Sequence, residues 1–181
     1  MRLRPSRDGG AVCSFEPAEV AVLRQIPELL RARYLPDSPA GLEPGGPPDP
    51  VRDRLFPRAY LDPTEESAEQ EWRSTVHPEL LRDRLDGLDR MLATLDGAVP
   101  KGRRLRVALD PAEVEGWIAV CNDARLTLGT LLRVTDESDY SQIDPASPHA
   151  AERAVYSWLT GLQGGLIEAM LATLPLDGAD D

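Results

Sequence analysis

Cysteine is almost absent from this chain of 181 residues, which holds only Cys13 and Cys121. Two cysteines are far too few for the cross-linked scaffolds of small secreted domains, and in a reducing compartment both default to the thiol. Positive charge is also short, with 20 Lys+Arg against 31 Asp+Glu and a formal net charge of -11. A field of that sign opposes long-range capture of phosphate backbones, so direct nucleic-acid binding is not expected. No apolar run approaches the roughly 20 residues that span a bilayer, and mean hydropathy is -0.33, which excludes a transmembrane helix. The opening MRLRPSRDGG is basic but leads into no apolar secretory segment before Glu16 and Glu19, so a cytoplasmic location is expected. Glycine-rich phosphate cradles and the HExxH, CxxC and GxSxG patterns are missing.

What is present suffices for one core, since 41% of residues are hydrophobic and 28% charged. The expected organisation is a single domain over 1–174, with an exposed Pro/Gly-rich loop at 36–50 and a fraying tail at 175–181. Residues Arg2 to Arg4 and Ala11 to Phe15 flank Asp8-Gly9-Gly10, which predicts a small hairpin. A helix then starts near Pro17, carries Val22, Ile26, Leu29 and Leu30 at helical spacing, and is expected to kink or break at Pro27. A short helix is expected within Val51 to Tyr60. Thr64 followed by acids reads as a capped first turn, and a kink or helix boundary is expected at His77-Pro78. Beyond it, Leu81, Leu85, Leu88, Leu92 and Leu95 mark one apolar stripe, better suited to the monomer core than to a coiled coil. Lys101 to Arg104 form a basic patch, and alternation from Arg104 to Leu109 predicts a strand. Asp110-Pro111 opens the most strongly patterned helix, to about Leu132. A final helix, from about Ala150 to Leu174, holds Gly161, Gly164 and Gly165, whose presence predicts close helix contact or a distortion. The fold class is therefore mainly α: a helical bundle with an N-terminal β-hairpin and one further short strand.

Few residues offer chemistry. Asp110 and Glu113 could in principle divide acid and base roles, but a helix cap accounts for both. His77 and His149, even with the two cysteines, match no metal-ligand spacing, so neither a metal nor another cofactor is expected. Asn122, Asp123 and Arg125 form a candidate polar cluster, and Arg125 lies close enough to the apolar face to need partners, tying this helix to the last one. Cys121 falls on the apolar side near Trp117 and Ile118, and Cys13 lies in a strand that could pair beside Arg104 to Leu109. The two are the redox candidates if that pairing brings them together, and inert core thiols otherwise.

The segments EVEGWIAVCNDARLTLGTLLRV, RVALDPAE, FEPAEVAVLRQIPELL and VYSWLTGLQGGLIEAML together resemble the actinobacterial DUF2017 family across nearly the whole chain. That resemblance implies a small cytoplasmic, mainly helical protein with an oxidative-stress regulator role. In that role a cysteine pair senses oxidants and the protein acts with a sigma factor on transcription. The expected function is thus a non-enzymatic regulator working through protein contacts, for which an acidic body is suited. The alternative is a redox-independent adaptor or scaffold in protein turnover or assembly. A small hydrolase would need a deep pocket of converging polar groups that the sequence does not advertise.

Overall fold

The computed structural model describes residues 1–35, 49–135 and 145–172. Most of the expected Pro/Gly-rich loop and all of the expected tail lie outside these residues. Strand β1 (Arg2–Pro5) turns at Gly9 into β2 (Ala11–Phe15), as the turn residues predict. Glu16 and Glu19 close a reciprocal capping box at the start of α1 (Pro17–Tyr34). Asp49 accepts from the Val51 and Arg52 amides to open the short α2 (Pro50–Leu55). After a single 3-10 turn at Pro63–Glu65 comes α3 (Glu66–Asp96), then the hairpin β3 (Val99–Lys101) and β4 (Arg104–Leu109), α4 (Pro111–Leu131) and α5 (Ala150–Leu171).

The architecture is mainly helical with a minor sheet, as expected, and it differs in three details: no helix break at Pro27, no helix boundary at His77-Pro78, and one more strand. Neither Pro27 nor Pro78 ends its helix: α1 continues through the first and α3 through the second. Each proline removes one helical hydrogen bond, but tertiary contacts on both sides outweigh the loss. Pro27 is itself buried in the core. The third difference is β3, whose pairing Val99↔Arg106 and Lys101↔Arg104 is closed by Gly102 at φ 63°. The basic patch is thus part of a hairpin, in a backbone conformation that glycine tolerates without strain.

The four antiparallel strands run in the order β1-β2-β4-β3. The registers Leu3↔Cys13 and Cys13↔Val107 set one row of inward side chains. Cys13, Phe15, Val107 and Leu109 are buried, and α1, α3, α4 and α5 all contact the sheet, while α2 packs on α1 and α4. Helix α4 is central and touches α1, α2, α3 and α5. The outward residues of the sheet are largely arginines and small side chains, and none of the described helices covers them. No helix among the described residues is long and apolar enough to cross a membrane.

Candidate functional site

The sheet register decides where the two thiols lie. Strand β2 does pair with β4, and β4 leads through Asp110 directly into α4, so Cys13 and Cys121 enter one core. Both are reduced and fully buried. Burial pushes Cys13 up to about 12, and burial followed by the neighbouring Cys13 pushes Cys121 up to about 12, against a smaller pull from Arg125. At neutral pH each therefore stays a protonated thiol, the unreactive form. The surroundings are aromatic: Phe15 stacks on Trp117 at 6.0 Å between centroids and meets Trp158 edge-on at 6.3 Å.

The polar residues of α4 divide between two seams. Asp123, buried on the side of α1 and α3, accepts from Tyr34 Oη at 2.6 Å and from Arg84 Nη1 at 2.6 Å. Arg84 Nη2 donates to the Leu55 carbonyl at 2.9 Å, and its guanidinium lies 4.7 Å from the Phe56 ring centroid. One arginine thus joins α2, α3 and α4. Burial holds the Asp123 carboxyl above its usual range, opposed by the Tyr34 hydroxyl and Arg84. Burial, reinforced by the Asp123 charge, raises Tyr34 and keeps it a donor. Arg125 points the other way, to α5, donating from Nε to Thr160 Oγ1 at 3.0 Å and from Nη1 to Gln163 Oε1. Its guanidinium sits 5.6 Å from the Tyr156 ring centroid. Asn122 is half-buried. Arg125 and Asp123 are two positions apart, about 200° around a helix, and cannot share one face.

The partners that sequence reasoning missed are Tyr34 and Arg84. Arg84 was legible only as one residue short of the Leu85 stripe position, and Tyr34 only as the single aromatic of α1. Asp110 and Glu113 form a capping box, each side chain accepting from the other's amide at 2.8 Å. His77 lies between the rings of Phe56 and Trp72, at 5.5 Å and 5.3 Å, far along the chain from His149 at the start of α5. Among the described residues no group of three or more His, Cys, Asp or Glu is placed to hold a metal.

Comparison with known proteins bears on what this arrangement does. The model of a family described as "Domain of unknown function (DUF2017)" matches residues 1–170. A Mycobacterium leprae protein named "Putative oxidative stress regulator AosR" is 33% identical over 141 residues, 70% of this chain and 61% of its own length. The oxidative stress regulators AosR of Mycobacterium bovis and Mycobacterium tuberculosis are 31% identical over 138 residues, with the same two shares. The chain spans about three-fifths of the length of these curated relatives. No solved structure matches.

Proposed function

Because the chain belongs to the DUF2017 family, we propose that it is a regulator in the response to oxidative stress, working by contact with another protein rather than by catalysis. The observation that carries this reading is the likeness, over 70% of the chain, to proteins named oxidative stress regulators. The acid–base candidates Asp110 and Glu113 serve as a helix cap, which also favours a role without catalysis. The partner belongs to the transcription machinery, a sigma factor being the class that family resemblance implies.

The seam between β2 and α4 is where an oxidant would act. Peroxide would convert one thiolate to a sulfenic acid, and the other thiol would displace water from it to close a Cys13–Cys121 disulfide. Both electrons go to the peroxide, which leaves as water. Because both thiols are buried and protonated, the seam must open first, loosening the N-terminal hairpin from α4. The same burial favours a second reading, a redox-independent adaptor in which the cysteines only fill the core.

A strain deleted for the gene separates these readings by its survival under peroxide. Rescue by the wild-type gene but not by the Cys13→Ser/Cys121→Ser pair, together with a Cys13–Cys121 link in peptide maps run without reductant, supports the redox regulator. Equal rescue by both genes, with two untouched thiols, moves the function to the adaptor. No loss of survival on deletion removes the oxidative-stress reading altogether.

A further inference from the structure

The uncovered face of the sheet carries the opposite charge from the molecule as a whole. Alternation along the strands sends Arg2 and Arg4 of β1 outward, and likewise Arg104 and Arg106 of β4. The register aligns Arg2 with Ser14 and Ser14 with Arg106, and sets Lys101 beside Arg104. These cations line a groove of about 470 Å³ with Val12 and Ser14 at its floor. Lys101 and Arg106 also border an adjoining hollow of about 430 Å³. Arg2, Arg4, Lys101 and Arg106 are exposed, and none makes an ion pair among the described residues. Arg104 alone is engaged, with Glu16 at 2.7 Å. Its second terminal nitrogen, Nη1, is buried and has no acceptor among the described residues. A basic groove of this kind, on a chain whose net charge is -11, is a local departure from the sign of the whole.

We propose that this face of the sheet, from Arg2 and Arg4 across to Lys101 and Arg106, docks an acidic polypeptide segment in extended conformation. Charge complementarity names the partner's sign, and strand geometry names its form. Same-face residues two apart on a strand are separated by about 7 Å, and neighbouring strands by about 4.8 Å. Carboxylates at alternate positions of an extended chain repeat at that same 7 Å spacing, so consecutive ones meet Arg2 and Arg4, or Arg104 and Arg106. Phosphates of a single-stranded nucleic acid would also find these cations. The groove offers Pro5, Val12 and Ser14 in place of aromatic rings on which bases could stack, and the acidic body repels a long polyanion. A peptide engages the groove locally and escapes that field. The proposal deepens the contact-mediated reading above by naming the chemistry of the partner.

Lys101 carries the only side-chain amine in the chain, so mass mapping separates coupling there from coupling to the Met1 amino group. The probe is a lysine-free ten-residue peptide, its amino terminus capped by an uncharged fluorophore, with glutamates alternating with serine and valine. Its controls are the glutamine version of the same peptide and a ten-nucleotide oligothymidine. Binding is read by fluorescence anisotropy at 50 mM and 500 mM salt, and carbodiimide coupling of peptide carboxylates to Lys101 is read by mass mapping. The glutamate peptide should bind at low salt and couple to Lys101, and it should weaken at least about fivefold in Arg4→Ser/Arg106→Ser. Binding should fall away at high salt. The two arginines are exposed, and an unchanged melting temperature will show that the variant folds. Failure to bind at low salt, equal binding by the variant, or tighter binding of the oligonucleotide overturns the proposal. Each of these outcomes is independent of survival under peroxide, so the groove and the oxidative-stress role can fail separately.

Discussion

Asp123 is a polar residue whose removal should be costly, because two donors from other helices converge on it. Asp123→Ala leaves the Tyr34 hydroxyl and the partly buried Arg84 without their acceptor, and should lower unfolding free energy by about 2–3 kcal/mol. Tyr34→Phe removes one neutral donor and should cost about 1 kcal/mol. Urea denaturation of both variants and of the double variant measures the coupling. Additive losses would mean that the hydroxyl and the carboxylate do not act together. The thiols make a prediction about pH. Their folded pKa values, about 12, lie above the ordinary thiol value of 9.0. Between these values the unfolded chain has lost protons that the native chain keeps, so stability is complete below pH 9 and falls as pH rises toward 12. Each thiol adds a slope of up to about 1.4 kcal/mol per pH unit. Denaturation from pH 7 to 10.5 should show a steeper alkaline loss in the wild type than in Cys13→Ala/Cys121→Ala, and parallel curves would refute the burial argument.

At the scale of elements, α5 carries glycines that its packing does not require. A Cβ at Gly161 or Gly164 would meet nothing within 4 Å, and one at Gly165 would reach only Leu3, at an ordinary 3.5 Å. The helix runs uninterrupted, and the expected close helix contact at these glycines is not what the structure has. Gly161→Ala and Gly164→Ala should each stabilise by about 0.5–1 kcal/mol, read as a higher urea midpoint at unchanged slope. Gly10 is the opposite case. A Cβ there would lie 2.1 Å from the Leu109 carbonyl oxygen, at the corner where β4 passes into α4, so Gly10→Ala should destabilise. Local chemistry was legible where it acts within a few residues. The Asp110-Pro111-Glu113 cap, the Asp8-Gly9-Gly10 turn and the alternation of β4 could all be read from neighbours in the chain. The continuity of α3 through Pro78 could not, because it rests on distant groups. Glu69 accepts from the Ala59 and Tyr60 amides at 3.0 Å each, while His77 packs on Phe56. These contacts hold the half before Pro78 from outside, and the bonds of Arg84 to Asp123 and to the Leu55 carbonyl hold the half beyond it. The division of Asp123 from Arg125 was hidden for the same reason, since only the packing of α4 among four helices shows which neighbour each residue faces.

For the molecule as a whole, the question is what movement exposes the thiols. Cys13 occupies an inner strand and Cys121 the central helix, and both belong to the core cluster that joins sheet and helices. Opening either one separates β2 from α4 and with it the stack of Phe15 on Trp117. That is a breach of the main core rather than the fraying of an edge, so labelling of both cysteines by a thiol reagent should require global unfolding. When reclosing outruns labelling, the rate follows the population of the open form, and 1 kcal/mol of added stability slows it about fivefold. Gly161→Ala/Gly164→Ala should therefore slow the labelling of Cys13 and Cys121 by one common factor, matching the gain measured in urea. A Cys13 rate that exceeds that of Cys121 and ignores the glycine substitutions would reveal a local opening of the hairpin, the movement that a fast oxidant sensor needs. If the rates instead move together, peroxide alone cannot reach the pair without unfolding the protein. The trigger for oxidation would then have to be an event that first parts the hairpin from α4, such as partner binding.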